Sequence, residues 1–126
     1  MKIPHYTKIH NRFKLNGFHF SAKELKEIGH DFIKEGKPYE MAIGDFIMDW
    51  MDKYDHINVK TSGSTGNSKI IKIYKQAMVS SALRTGDFFN VKIGDSALHC
   101  LPADFIAGKM MLVRAMILGL SLELVE

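Results

Sequence analysis

The sequence predicts an α/β protein with helices packed on a mixed sheet, and three observations predict it. The second half alternates short β-branched runs with longer segments of three- and four-residue apolar spacing, the pattern of strands feeding helices that cover them. Apolar residues make up 46% and charged residues 25% of the 126 positions, ordinary values for a globular core under a solvated surface. No apolar run approaches the roughly 20 residues a membrane helix needs, so the hydrophobic content belongs to a core.

Residues 1–20 mix aromatic and polar types, and Phe13, Leu15, Phe18 and Phe20 suggest an extended segment laid on that core. Ser21-Ala22-Lys23-Glu24 is a capping box, because the serine can accept from the third helical amide while the glutamate reaches back. It predicts a helix through about Lys34 with Leu25, Ile28, Phe32 and Ile33 on the buried face, stopped by Gly36-Lys37-Pro38. A second helix is expected from Tyr39 or Glu40 to Tyr54, since Ile43, Phe46, Ile47, Trp50, Met51 and Tyr54 recur at helical spacing. Trp50 is then a core residue. Ile57–Lys60 and Ile70–Ile73 read as strands, and Lys75 to about Phe89 as a helix with Met78, Val79, Ala82 and Leu83 on one face. Gly94-Asp95 marks a turn, Ala97–Leu101 a buried strand ended by Pro102, Gly108–Leu118 a helix and Ser121–Val125 a strand. The whole reads as one domain, 1–126, with a helical and irregular lead-in through 56 and an α/β part over 57–126. Its last strand stops without turn, cap or polar tail, which reads as a cut through a longer domain.

Charge and composition exclude several functions. The 17 basic residues are scattered among 14 acidic ones, so the net charge of +3 forms no stripe for nucleic acid. It would still favour polyanionic small molecules. The six histidines show no zinc spacing, and no metal site is predicted. His99 and Cys100 are neighbours on a strand and point to opposite faces, so they cannot act as a thiol and its base; Cys100 reads as a buried structural cysteine. One cysteine cannot form an internal disulfide, and Met1–His5 leads into polar sequence without an apolar signal region. The expected compartment is the cytoplasm. Oligomeric state is not legible.

The chemistry concentrates in one loop, Thr61-Ser62-Gly63-Ser64-Thr65-Gly66-Asn67-Ser68-Lys69, set between the two central strands. Gly63 and Gly66 allow backbone amides to approach an anion, Ser62, Ser64 and Thr65 add neutral donors, and Lys69 adds a point charge. The glycine spacing fits neither a Walker A loop nor a dinucleotide-binding fingerprint. An ordinary solvated Ser/Gly hairpin connection would have the same composition.

Residue by residue, this run resembles the phosphate-binding signature of the adenylate-forming (AMP-binding) superfamily: two hydroxyl residues, Gly, a hydroxyl residue, Thr, Gly, any residue, Pro and Lys. Eight of the nine positions fit, and Ser68 stands where proline is usual. That departure loosens the loop exit but removes no donor. Leu101-Pro102-Ala103-Asp104-Phe105-Ile106-Ala107-Gly108 is similar to a second segment of the superfamily, with Phe105 where a histidine or another aromatic residue lines the acyl pocket. The helix after it is similar to that of o-succinylbenzoate-CoA ligases and acyl-CoA synthetases.

The resemblance implies the N-terminal part of an adenylate-forming large domain, from an ATP-dependent, AMP-forming acid-CoA ligase of the o-succinylbenzoate type in menaquinone biosynthesis. It implies ATP, Mg²⁺ and coenzyme A as substrates and cofactors, with a small carboxylic acid as the acyl substrate. Thr61, Ser62, Gly63, Ser64, Thr65, Gly66 and Lys69 would hold the ATP phosphates, and Phe105 and Gly108 would border the acyl pocket. The superfamily's adenine, ribose and magnesium contacts and its catalytic lysine lie outside the matched region, so no catalytic residue is assigned and the chain alone is expected to be inactive. The alternatives are a non-catalytic nucleotide- or phosphate-binding module and a structural or interaction domain.

Overall fold

The computed structural model describes residues 3–61 and 68–126. Its first helix, α1 (Ala22–Glu35), begins as the capping box requires. Ser21 Oγ accepts from the Glu24 amide at 3.2 Å, and Glu24 Oε1 accepts from the Ser21 amide at 2.9 Å. These two bonds to Ser21, the backbone one first, hold the Glu24 carboxyl below its usual range. Gly36 closes the helix, donating its amide to the Phe32 carbonyl at 3.0 Å. Pro38 then opens α2 (Pro38–Trp50) at the first helical position, where its missing N–H would have had no intrahelical partner.

The second helix is shorter than its periodicity suggests. Asp52 Oδ1 accepts from the Tyr54 amide at 2.9 Å, a local turn that competes with helical bonding, and Tyr54 is left exposed. Trp50 remains core, as expected.

Two sheets follow, one parallel and one antiparallel. In the first, β1 (Lys14–Leu15), β5 (Ser121–Leu124) and β4 (Ser96–His99) lie in the order β1-β5-β4, all parallel. Leu122 of the central strand is flanked by Leu15 and Ala97. The extended lead-in thus becomes part of the sheet, with Phe13 and Leu15 buried and Phe18 exposed. In the second sheet, β2 (His56–Lys60) and β3 (Ile70–Tyr74) form an antiparallel hairpin. The pairs Ile57↔Ile73 and Val59↔Ile71 set four β-branched side chains on one face, and Ile57 and Val59 are buried there.

Helices α3 (Lys75–Phe88) and α4 (Ile106–Leu118) pack on each other, and α4 also touches β4 and β5. Leu112, Val113, Ala115, Met116 and Ile117 are all buried, while Ala107, Met111, Arg114 and Leu118 form a narrow, partly exposed strip, so most of the surface of α4 must be covered by its neighbours. Helices packed with strands of both pairings are the expected α/β class, but the parallel and antiparallel pairs fall in two separate sheets rather than in one mixed sheet.

Two sequence readings need correction. The strand before Pro102 ends at His99, and only His99 among its residues is fully buried, because β4 forms an edge of its sheet. Cys100 is exposed rather than buried: with His99 turned inward, the next position faces out. The opposition of the two side chains holds; the burial does not.

Helices α1 and α2 approach closely at Gly44, where an added Cβ would stand 2.5 Å from the Gly29 carbonyl oxygen and 2.9 Å from Phe32 Cβ. Backbone cannot yield as a flexible side chain can. Gly44→Ala is expected to destabilise the chain by about 2 kcal/mol, read from the midpoint of urea unfolding. An unchanged midpoint would show that the two helices are not in register at this contact.

Candidate functional site

The first locus is the far end of the β2–β3 hairpin. The Thr61 amide donates to the Lys69 carbonyl at 2.8 Å, and the Thr61 hydroxyl donates to the same oxygen at 3.1 Å. The Lys69 amide in turn donates to Thr61 Oγ1 at 3.2 Å. These bonds tie the first and last residues of the nine-residue run, extending the ladder by one step and leaving the Lys69 side chain in solvent. Ser62, Gly63, Ser64, Thr65 and Gly66 lie outside the described residues.

The second locus is a cleft of about 290 Å³ beside the carboxyl ends of β4 and β5. Open α/β sheets bind ligands at that end of parallel strands. Tyr39, Ala42 and Ile43 of α2 form one wall, and the turn from His99 to Asp104 forms another. His99 is 2% exposed, and its Nε2–H donates to the Gly108 carbonyl at 2.9 Å. That bond fixes the imidazole against the start of α4.

Neither sequence-assigned pocket residue lines this cleft. Phe105 caps α4 and is 50% exposed, and its amide donates to the Pro102 carbonyl at 3.3 Å. Gly108 is buried beneath the turn: an added Cβ would overlap the Pro102 carbonyl and lie 2.8 Å from the Leu101 oxygen. Close backbone approach therefore explains this glycine. That Tyr39 and His99 line one cleft was not legible in the sequence, because residues sixty positions apart carry no shared spacing that could reveal it.

Lys109 braces the same turn. Its ammonium donates to the Ala103 carbonyl and lies 5.7 Å from the Phe46 ring centre. Burial pushes its pKa down, against the opposing pull of Asp49, Asp104 and Asp45. Asp49 is shifted the other way, upward, first by lost hydration and then by the neighbouring Asp52 charge, with Lys109 acting against both.

No protein-family profile matches the chain, and no curated protein does. Among solved structures the chain is similar to one described as an acyl-CoA synthetase (AMP-forming)/AMP-acid ligase II-like protein from Dyadobacter fermentans DSM 18053, at 35% identity with a TM-score of 0.67. The match covers 80% of this chain, which spans only 29% of the length of that protein. The fold is thus similar to part of an AMP-forming ligase, and the likeness supports the adenylate-forming superfamily. It contains nothing specific to o-succinylbenzoate.

The raised Asp49 pKa fixes the sign of one pH effect. The folded chain binds that proton more readily than the unfolded chain, so ionised Asp49 costs stability above its folded pKa, and the cost disappears below the ordinary aspartate value. Asp49→Asn is expected to be more stable than wild type at neutral pH, by a small margin because the carboxylate still meets water, with the difference fading in acid. Urea midpoints at the two pH values measure it, and a difference that grows in acid would contradict the assigned direction.

Proposed function

We propose that this chain is the N-terminal part of the adenylation domain of an AMP-forming acid-CoA ligase, and that residues 61–69 hold the phosphates of ATP. The observation that carries the reading is the 35% identity to an AMP-forming ligase-like protein over 80% of the chain. The Thr61–Lys69 closure adds a physical reason: it brings both ends of an amide- and hydroxyl-rich run together, as a concave anion cradle requires.

In this reading the carboxylate of the acyl substrate attacks the α-phosphate and pyrophosphate leaves. The coenzyme A thiol then displaces AMP from the acyl-adenylate. Thr61, Ser62, Gly63, Ser64, Thr65, Gly66 and Lys69 act on the leaving group. Backbone amides and hydroxyls bind the β- and γ-phosphate oxygens, and Lys69 neutralises the charge that accumulates there. We read Phe105 and Gly108 as the border of the acyl pocket, with o-succinylbenzoate and menaquinone biosynthesis as the specific assignment. Among the described residues no three carboxylate, imidazole or thiol groups gather to hold a cation. We therefore assign no residue to Mg²⁺. No described helix is long and apolar enough to cross a membrane, and the proposed compartment is the cytoplasm.

Titrating ATP against the wild-type chain and Lys69→Ala tests the phosphate assignment, with an expected loss of affinity of roughly tenfold or more on removing the lysine. Equal affinities would refute it. With o-succinylbenzoate and ATP, the 126 residues alone are expected to release no pyrophosphate, and turnover in that assay would show that the catalytic set lies within them.

A further inference from the structure

The one lysine whose charged end is wholly enclosed among the described residues lies away from the proposed phosphate contacts. Lys75, the first residue of α3, is 0% exposed. Its ammonium donates to Asp52 Oδ1 at 2.8 Å and to the Tyr54 carbonyl at 2.5 Å, and lies 5.5 Å from the centre of the Tyr6 ring. Its backbone amide donates to the Asp55 carbonyl at 2.8 Å. One residue thus ties the segment 52–55, which enters β2, to the point where β3 ends at Tyr74.

Stability alone does not explain such a group. Enclosing an ammonium costs about as much hydration as an ion pair returns, so an apolar side chain of similar volume would serve packing equally well. What an apolar side chain cannot do is join a carboxylate, a carbonyl and an aromatic face at fixed positions. The hairpin needs such a joint: among the described residues β2 and β3 pair only with each other, and the burial of Ile57 and Val59 holds one face on the core without a strand ladder to fix its angle. Five residues of strand span about 17 Å, so a rotation of roughly 5° at the base would move the far end by about 1.5 Å. Binding constellations tolerate about 0.5 Å.

We propose that Lys75 is a positioning residue: its enclosed ammonium sets the angle at which the hairpin leaves the core, and thereby fixes Thr61 and Lys69 in space for phosphate. This rests on the phosphate-binding reading of residues 61–69. Lys75 touches no phosphate itself and acts through the strands.

The test uses the 126-residue chain with inorganic tripolyphosphate as probe and amide hydrogen exchange as a second readout, comparing wild type, Lys75→Met, Lys69→Ala and the double variant. Lys75→Met is expected to keep its helical circular dichroism and the slow exchange of α1, while the Thr61 and Lys69 amides exchange at least about tenfold faster and tripolyphosphate affinity falls by at least about tenfold. In the double variant the lysine at 69 should matter less than in wild type, because both changes act on one contact. If Lys75→Met fails to fold, Asp52→Ala breaks the same ion pair from its more exposed side and is read in the same way. Wild type that binds tripolyphosphate while the folded variant binds equally well, or with unchanged exchange at Thr61 and Lys69, overturns this inference alone. Wild type that ignores tripolyphosphate overturns the phosphate reading, and this inference with it.

Discussion

A helix buried around most of its circumference imposes its requirements on everything around it. Because α4 presents Leu112, Val113, Ala115, Met116 and Ile117 in directions that cannot all face one neighbour, α3 must pack against it and the parallel strands must underlie it. The burial of α4 explains why the short strands β4 and β5, with four residues each, suffice to hold a sheet. It also explains the close seat of Gly108, since the helix can begin beneath the turn at 101–102 only where no side chain intervenes.

Polar groups enter this interior at a few points, and each ties separate parts of the chain together. His99 links an edge strand to the first turn of α4, Lys109 links that helix to the turn before it, and Lys75 links both ends of the hairpin. Gln76 extends the same logic to the lead-in, donating to the Pro4 carbonyl at 2.8 Å while accepting from the Tyr6 amide at 3.1 Å. Unlike apolar contacts, these bonds specify distance and direction, so they set the relative placement of elements that hydrophobic burial merely brings together.

Sequence reasoning succeeded where the cause of a structure is local. The Ser21–Glu24 cap, the Gly36-to-Pro38 break and the flanks of the 61–69 run were all legible, because backbone preference and nearby hydrogen bonds decide them. It failed where the cause is distant. The end of α2 depends on Asp52 and on a lysine in another helix; the exposure of Cys100 depends on β4 lying at an edge; and the cleft depends on the fold bringing α2 beside the turn after His99. None of these leaves a periodic trace in the chain.

The pairing of Lys14 with Ser121 and of Leu15 with Leu122 joins residues 107 positions apart in the sequence. Asn16 strengthens that long closure, its side-chain oxygen accepting from the Leu124 amide at 2.8 Å. On a translating ribosome the α1–α2 pair and the hairpin can condense early, but β1 must wait, unpaired, until residues beyond 120 have left the exit tunnel. The parallel sheet thus closes after the α1–α2 pair and the hairpin, and Phe13 and Leu15 are the side chains a chaperone would meet in the interval.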